Sequence, residues 1–288
     1  MRTCTSTDLH AAYGSNPHYF PMEESLRACT KAGFECIDLN LHTVSLDSGP
    51  LADDVCWQDW VWHLKELLDT TDTEVPYAHS FFYLHSDRTG RLDELTCRTI
   101  EAAGMLGVKW VTVHPFSVRD EAWYSHKKSL EDNRCFMERY AVIADRFHCG
   151  IAIENMVEAT DGRRFGSSAE DLLELYELLN DPIFGICWDF GHGERSSCNT
   201  IASLRMIGNK LKNVHVHDYT LNKVGYDHTL PFHGLTDWNT IMPVMKEIDY
   251  LGEWNLECHN FTNQIPPELR ETALKCAFET CEYMIRMI

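Results

Sequence analysis

The sequence predicts an α/β fold, a single (β/α)₈ barrel covering residues 1–288, on three observations. Short apolar runs alternate with longer stretches of helical spacing, which implies parallel strands joined by crossover helices. Eight such strand-then-helix units can be counted in 288 residues, the size of one closed barrel. No glycine-rich phosphate loop follows an early strand, which argues against a doubly wound open sheet.

A first strand is expected near residues 2–7, followed by the helical stretch "MEESLRACTKAG", which closes on glycine. The later strands are expected at "CIDLNL" (36–41), "VPYAHS" (75–80), "KWVTVHP" (109–115), "GIAIEN" (150–155), "FGICWDF" (184–190), "KNVHVHD" (212–218) and "EWNLECH" (253–259). Helical spacing recurs between them in "DWVWHLKELLDTTD", "LDELTCRTIEAAGMLG", "LEDNRCFMERYAVIADRFHCG" and "SAEDLLELYELLND", and the chain closes on "PPELRETALKCAFETCEYMIRMI". No low-complexity segment, Pro/Gly-rich linker or composition shift marks a domain boundary.

Composition narrows the partners. Against 44 acidic residues stand 25 basic ones, a formal charge of −19, which disfavours nucleic acid and suits a neutral or cationic small molecule. Twelve cysteines are scattered without a CxxC pair, several inside apolar runs, as expected of free buried thiols in a reducing cytoplasm. No apolar run approaches a membrane span and the N-terminus lacks a signal-peptide core, so a cytoplasmic protein is expected.

In such a barrel the active site lies at the C-terminal ends of the strands. The ends are His79, His114, Glu154, Asp189, His215 with His217, and Glu257 with His259, six consecutive strands finishing in a metal-capable residue. A lone histidine there is more often a hydrogen-bonded structural residue, and a lone acid more often a cap or ion-pair partner. Together they would bury acids and imidazoles in one mouth with no Lys or Arg at these ends, a cost that a divalent cation offsets. In "KNVHVHD", Val214 and Val216 should face the helices while His215 and His217 face the barrel interior.

These motifs, with "ESLRACTKAGFECIDL", "VTVHP", "IAIEN", "WDFGH", "VHVHD", "DHTLPFHGLTDW" and "WNLECH", resemble the xylose-isomerase-like superfamily of sugar isomerases and epimerases, which includes apurinic endonucleases of the same barrel type. The resemblance runs over nearly the whole chain. It implies that Glu154, Asp189, His215 and Glu257 bind one divalent metal, His215 being chosen because it stands three residues before Asp218. It implies substrate contact or a further metal at His192, and an additional metal in endonuclease relatives at positions matching His79 and His114. We place His79, His114, His192, His217 and His228 as substrate-binding candidates, with a structural role for His217 about as well supported. Two departures stand out. The aspartate that would hold a third zinc beside His228 is replaced by Tyr226, and Asp227 has the wrong parity. The usual "LPGxG" reads "LPFHG", so Phe232 is expected to reshape a loop over the substrate.

Three carboxylates and one imidazole favour Mn²⁺, with Mg²⁺, Co²⁺ or Zn²⁺ as alternatives. The expected function is a sugar or sugar-derivative isomerase or epimerase working through a metal-stabilised enediolate, and the resemblance implies a double role for Glu154 and Glu257, as ligands and as base and acid. A lyase or dehydratase on a keto-sugar would need the same enolate, whereas an abasic-site endonuclease is disfavoured by charge and by Tyr226. Phe81, Phe82, Phe116 and Phe232 are candidates for an apolar wall, and Trp188 for the core. Glu158, Arg163 and Arg164 lie in the loop "NMVEATDGRRFG"; an arginine reaching the mouth would favour an acidic or phosphorylated substrate. A homo-oligomer is compatible with the resemblance.

Overall fold

The computed structural model describes residues 1–9, 21–46, 49–83, 90–120, 123–159, 162–220, 228–263 and 265–288. Tyr226 and Asp227 lie outside the described residues. Eight parallel strands form the sheet: β1 (Thr3–Ser6), β2 (Cys36–Asn40), β3 (Glu74–His79), β4 (Trp110–Val113), β5 (Gly150–Glu154), β6 (Phe184–Asp189), β7 (Leu211–His215) and β8 (Trp254–Leu256). From β1 to β7 each pairs with the next in sequence, and β8 pairs with β1. The ring closes between β7 and β8 through Val216, whose N–H donates to Asn255 (2.8 Å) and whose carbonyl accepts from Glu257 (3.0 Å). The expected strand 212–218 is therefore shorter: regular pairing stops at His215, and Val216 alone completes the barrel.

The outer layer comprises α1 (Met22–Ala32), α2 (Trp57–Leu68), α3 (Arg91–Met105), α4 (His126–Arg146), α5 (Ala169–Leu179), α6 (Thr200–Ile207), α7 (Trp238–Glu247) and α8 (Arg270–Ile285). Their ends carry the expected chemistry. Gly33 closes α1 in the left-handed region (φ 113°), where a side chain is disfavoured. Ser168 caps α5 through its hydroxyl, and Asn180 ends it at φ 44°. Leu26, Leu64, Ile100, Leu172, Leu204 and Ile241 point inward and pack on Ile37, Val111, Ile151, Ile153, Trp188 and Val214 in one continuous core. Val214 and Val216 are both in that core, as the alternation required, and Trp188 is fully buried there. Among the described residues no helix is long and apolar enough to cross a membrane, and all twelve cysteines are free.

Inside the ring, side chains stack in layers. The lower end is plugged by Cys4, Cys36, Tyr77 and Trp110. A Cβ on Gly150 would lie 2.2 Å from the Trp110 ring, so that strand passes the indole without a side chain. Above the plug runs a polar ladder. Asn255 Nδ2 donates to Asp38 Oδ2 (2.6 Å) and to Asn213 Oδ1 (3.2 Å), and Asn213 Nδ2 donates to Thr112 Oγ1 (3.1 Å). This ladder is the floor on which the strand-end acids and histidines stand.

Candidate active site

Glu154, at the end of β5, is 1% exposed and surrounded by imidazoles. Its Oε2 lies 2.7 Å from His114 Nε2 and 3.3 Å from His79 Nε2, while Oε1 lies 2.7 Å from His215 Nδ1. Burial alone would raise this carboxyl, but His215 and His114 pull it well below the ordinary range. His79 has Nδ1 against the Ser80 carbonyl (2.9 Å), which turns Nε2 toward Glu154.

His215 is fully buried, with carboxylates on both nitrogens. Nδ1 faces Glu154 and, at 3.2 Å, Glu257 Oε2; Nε2 lies 3.4 Å from Asp38 Oδ2. Burial opposes its charge, yet the surrounding anionic groups hold it well above the usual imidazole value. Glu257, just past β8, is buried too, and His215 and His228 keep it well below the carboxylate range in spite of that burial. His228 Nε2 stands 3.4 Å from Glu257 Oε2.

Asp189 closes β6 and is held on three sides. Asn155 clamps its backbone, donating from Nδ2 to the Asp189 carbonyl (2.9 Å) and accepting the Asp189 N–H at Oδ1 (2.6 Å). The Asp189 side chain caps the following turn by accepting the His192 N–H (2.6 Å). His217 Nε2 lies 2.9 and 3.0 Å from its two oxygens. Since His217 Nδ1 accepts the His228 N–H (3.0 Å), the proton of the neutral ring sits on Nε2 and is donated to Asp189. His192, by contrast, commits Nδ1 to the Asn155 carbonyl (2.9 Å) and faces the open space above.

That space is a cavity of about 550 Å³ at the C-terminal mouth of the barrel. His79, His114, Glu154, His192, His228 and Glu257 line it, whereas Asp189, His215 and His217 stand behind them at 0% exposure. Phe82 and Phe116 form part of the wall; Phe81 is packed beneath it, 5% exposed and outside the lining. Phe232 is not among the lining residues; it is 48% exposed and edge-on to Tyr283. Its backbone lies in the left-handed region (φ 72°), and its N–H donates to Asp218 Oδ2 (3.0 Å).

Asp8 and His42 are among the lining residues that escaped the reading of strand ends. Asp8 sits two residues beyond β1, in a stretch with no alternation to flag it. Asn40 Nδ2 donates to its Oδ2 (3.2 Å), while buried Oδ1 has no partner among the described residues; burial and the Glu257 charge push its carboxyl up to about 7. His42 lies flat on Phe82 (centroids 3.7 Å, 12°), and burial, then the charges of His79 and His114, bring it down to about 3. It is a neutral, apolar wall.

Donor atoms of Glu154, Asp189, His215 and Glu257 lie within 4.8 Å of one another. These are three buried carboxylates whose ion-pair partners, among the described residues, are all histidines. An oxygen-rich set with a single imidazole and no lysine or arginine suits a hard divalent cation, so the residues present fit one. The same oxygens also meet imidazoles in three other groups: Asp189 with His192, His217 and His228, Glu154 with His79 and His215, and Glu257 with His228 and His259.

A model of the xylose isomerase-like TIM barrel family matches residues 26–279, and the chain belongs to that family. An uncharacterized protein of Sinorhizobium fredii is 29% identical over 174 residues, 57% of this chain and 51% of that protein, so the match spans about half of that relative. Among solved structures, a D-allulose 3-epimerase from Methylomonas sp. in complex with D-allulose superposes with a TM-score of 0.73 at 16% identity, covering 100% of this chain and 97% of its own. The IolI protein with a bound zinc atom gives 0.72 at 19% identity, covering 99% and 96%. At these identities the likeness is one of fold.

Proposed function

We propose that this chain is a divalent-metal-dependent isomerase or epimerase of a sugar or sugar derivative, moving a proton beside a carbonyl with Glu154 and Glu257 as the acid–base pair. The observation that carries this reading is the convergence of Glu154, Asp189, His215 and Glu257 donor atoms at the floor of the cavity. These four would hold the cation, with Mn²⁺, Mg²⁺ or Co²⁺ favoured by the oxygen-rich set. Bound there, it would polarise the substrate carbonyl and stabilise negative charge developing on its oxygen.

The chain's own groups do the rest. Glu154 and Glu257 both line the cavity and come from strands three apart around the ring, so they approach a bound substrate from different sides. Both belong to the same converging set, and a carboxylate that spends one oxygen on a cation keeps another for proton transfer. His192, oriented by Asn155, offers Nε2 to a substrate hydroxyl, and His217 positions Asp189. Phe82 and Phe116 present an apolar face suited to the C–H side of a sugar ring. Structural similarity to a protein solved with D-allulose supports a carbohydrate-like ligand.

The test is proton exchange. Mn²⁺-loaded protein, incubated in D₂O with ketoses, inositol ketones and keto-glycosides, should place deuterium next to the carbonyl of its substrate without changing the carbon skeleton. Glu257→Gln should slow exchange by about 100-fold or more, the usual contribution of a general acid or base. Exchange undiminished in Glu257→Gln, or none from any of these compounds, refutes the proposal; loss of water from the product would indicate a lyase.

A further inference from the structure

The loop after β5 carries two adjacent arginines with opposite surroundings. Arg163 is consumed internally: its guanidinium reaches Glu158 Oε2 (3.0 Å), Asp171 Oδ2 (2.6 Å), Ser168 Oγ (3.3 Å) and Ser167 Oγ. Glu158 and Asp171 are thereby taken. Arg164 is fixed by its backbone, its N–H donating to the Glu158 carboxylate and its carbonyl accepting from Ser167 Oγ (2.9 Å). The loop is tied to its neighbour after β4 by the Phe165 N–H on Ser117 Oγ (2.8 Å), and Ser117 and Arg164 both line the cavity.

The Arg164 side chain has no hydrogen bond or ion pair with any described residue, although it is half-buried. In a chain with 44 acidic and 25 basic residues, a cavity-wall guanidinium that meets no carboxylate among the described residues is unusual. A guanidinium is a planar fork of donors that matches carboxylate or phosphate oxygens two at a time, and partial desolvation strengthens such a pair. The opposite demand holds at the floor, where Asp8, Glu154 and Glu257 would repel an anion. The cavity thus combines acids with a cationic wall.

Resting on the reading of this site as a sugar isomerase or epimerase, we infer that its substrate carries an anionic substituent, a carboxylate or a phosphate, remote from the reacting carbons and received by Arg164. Calorimetric titration of the Mn²⁺-loaded protein with D-fructose, D-fructose 6-phosphate and D-fructuronate tests this, with inorganic phosphate as a minimal probe. At least one anionic sugar should bind about 10- to 100-fold more tightly than D-fructose, as one charge-assisted pair provides. That preference should shrink as salt is raised. Arg164→Met should bring the ratio near one and Arg164→Lys should retain part of it; the phosphate and carboxylate arms identify which anion is read. Equal binding of neutral and anionic sugars by the wild-type protein overturns the inference, as does an anion preference that survives in folded Arg164→Met. Failure of both anionic sugars and of inorganic phosphate to bind overturns it too. Deuterium exchange is read separately: a neutral ketose that exchanges without anion preference leaves the proposed reaction standing, whereas anion binding without exchange from any ketose leaves only this inference.

Discussion

Asp218 gives the sharpest quantitative prediction, since its carboxylate organises the loop that brings His228 to the site. The side chain is fully buried and accepts four hydrogen bonds. Oδ1 takes the N–H groups of Tyr219 (2.9 Å) and Thr236 (3.0 Å); Oδ2 takes the Phe232 N–H (3.0 Å) and the Trp238 indole N–H (3.1 Å). Asp218→Ala strands all four donors. Phe232 is exposed and Tyr219 half-buried, so water can serve those two, but Thr236 and Trp238 are 8% and 1% exposed. Leaving two buried donors unsatisfied costs roughly 1–3 kcal/mol each, so we expect a loss of about 4 kcal/mol. At a few degrees per kcal/mol for a chain of this size, the midpoint should fall by about 8 °C or more. Urea unfolding should show the same loss with an unchanged m-value. Asp218→Asn should fall well short of wild type, because its NH₂ must face two donors wherever it is placed. A loss below about 1 kcal/mol in Asp218→Ala, or wild-type stability in Asp218→Asn, would refute the assignment of these four bonds as the loop's anchor.

Other outcomes follow from the same geometry. In metal-free protein the Asp8 carboxyl, raised to about 7, binds a proton that the unfolded chain releases near pH 4, so its contribution to stability declines as pH rises from 4 to 7. Asp8→Asn should therefore match wild type near pH 4 and exceed it above pH 7 by up to roughly 4 kcal/mol in thermal unfolding; a pH-independent difference contradicts this. His215→Ala should lose bound metal by elemental analysis, whereas His217→Ala should retain it with affinity weakened about 10- to 100-fold, as expected of a group that orients a ligand. Because His215 is held protonated between Glu154 and Glu257, metal uptake should release a proton and weaken as pH falls; calorimetry in buffers of different ionisation enthalpy measures it, and zero release would refute it. Cys56, Cys135 and Cys276 are exposed and should react promptly with a thiol reagent, while Cys4, Cys29, Cys36, Cys149, Cys187, Cys258 and Cys281 should react only on unfolding; fast labelling of Cys187 in native protein would contradict its burial.

The barrel is readable from sequence because its two periodicities are imposed by packing. Strands such as "GIAIE" are apolar on the face that meets the helices, and the runs between them carry one apolar stripe each. The alternation in "NVHVH" fixes which face His215 occupies without further information. Where β7 stops is less legible, since the barrel curves away at Val216 and pairing passes to β8, a partner about 40 residues further along the chain. Asp8 was hidden for a related reason: it lies beyond regular strand, and only the closing of β1 against β8 brings it near Glu257.

Chemical type identifies candidates, while hydrogen bonding decides their tasks, and the second depends on loop paths that no local pattern encodes. His215 and His217 have the same face and the same burial, yet one is shared by Glu154 and Glu257 and the other is turned by a backbone N–H to hold Asp189. Asp218 was legible as part of a metal-site motif, but its acceptors are spent on residues 219, 232, 236 and 238, so it acts on the site through the loop. Arg163 and Arg164 are adjacent and chemically identical, and their difference arises from Asp171 on α5, eight residues from Arg163, whose carboxylate one can reach. Among the described residues the Arg164 guanidinium meets no carboxylate, and that difference from its neighbour is what motivates the proposed anionic substituent.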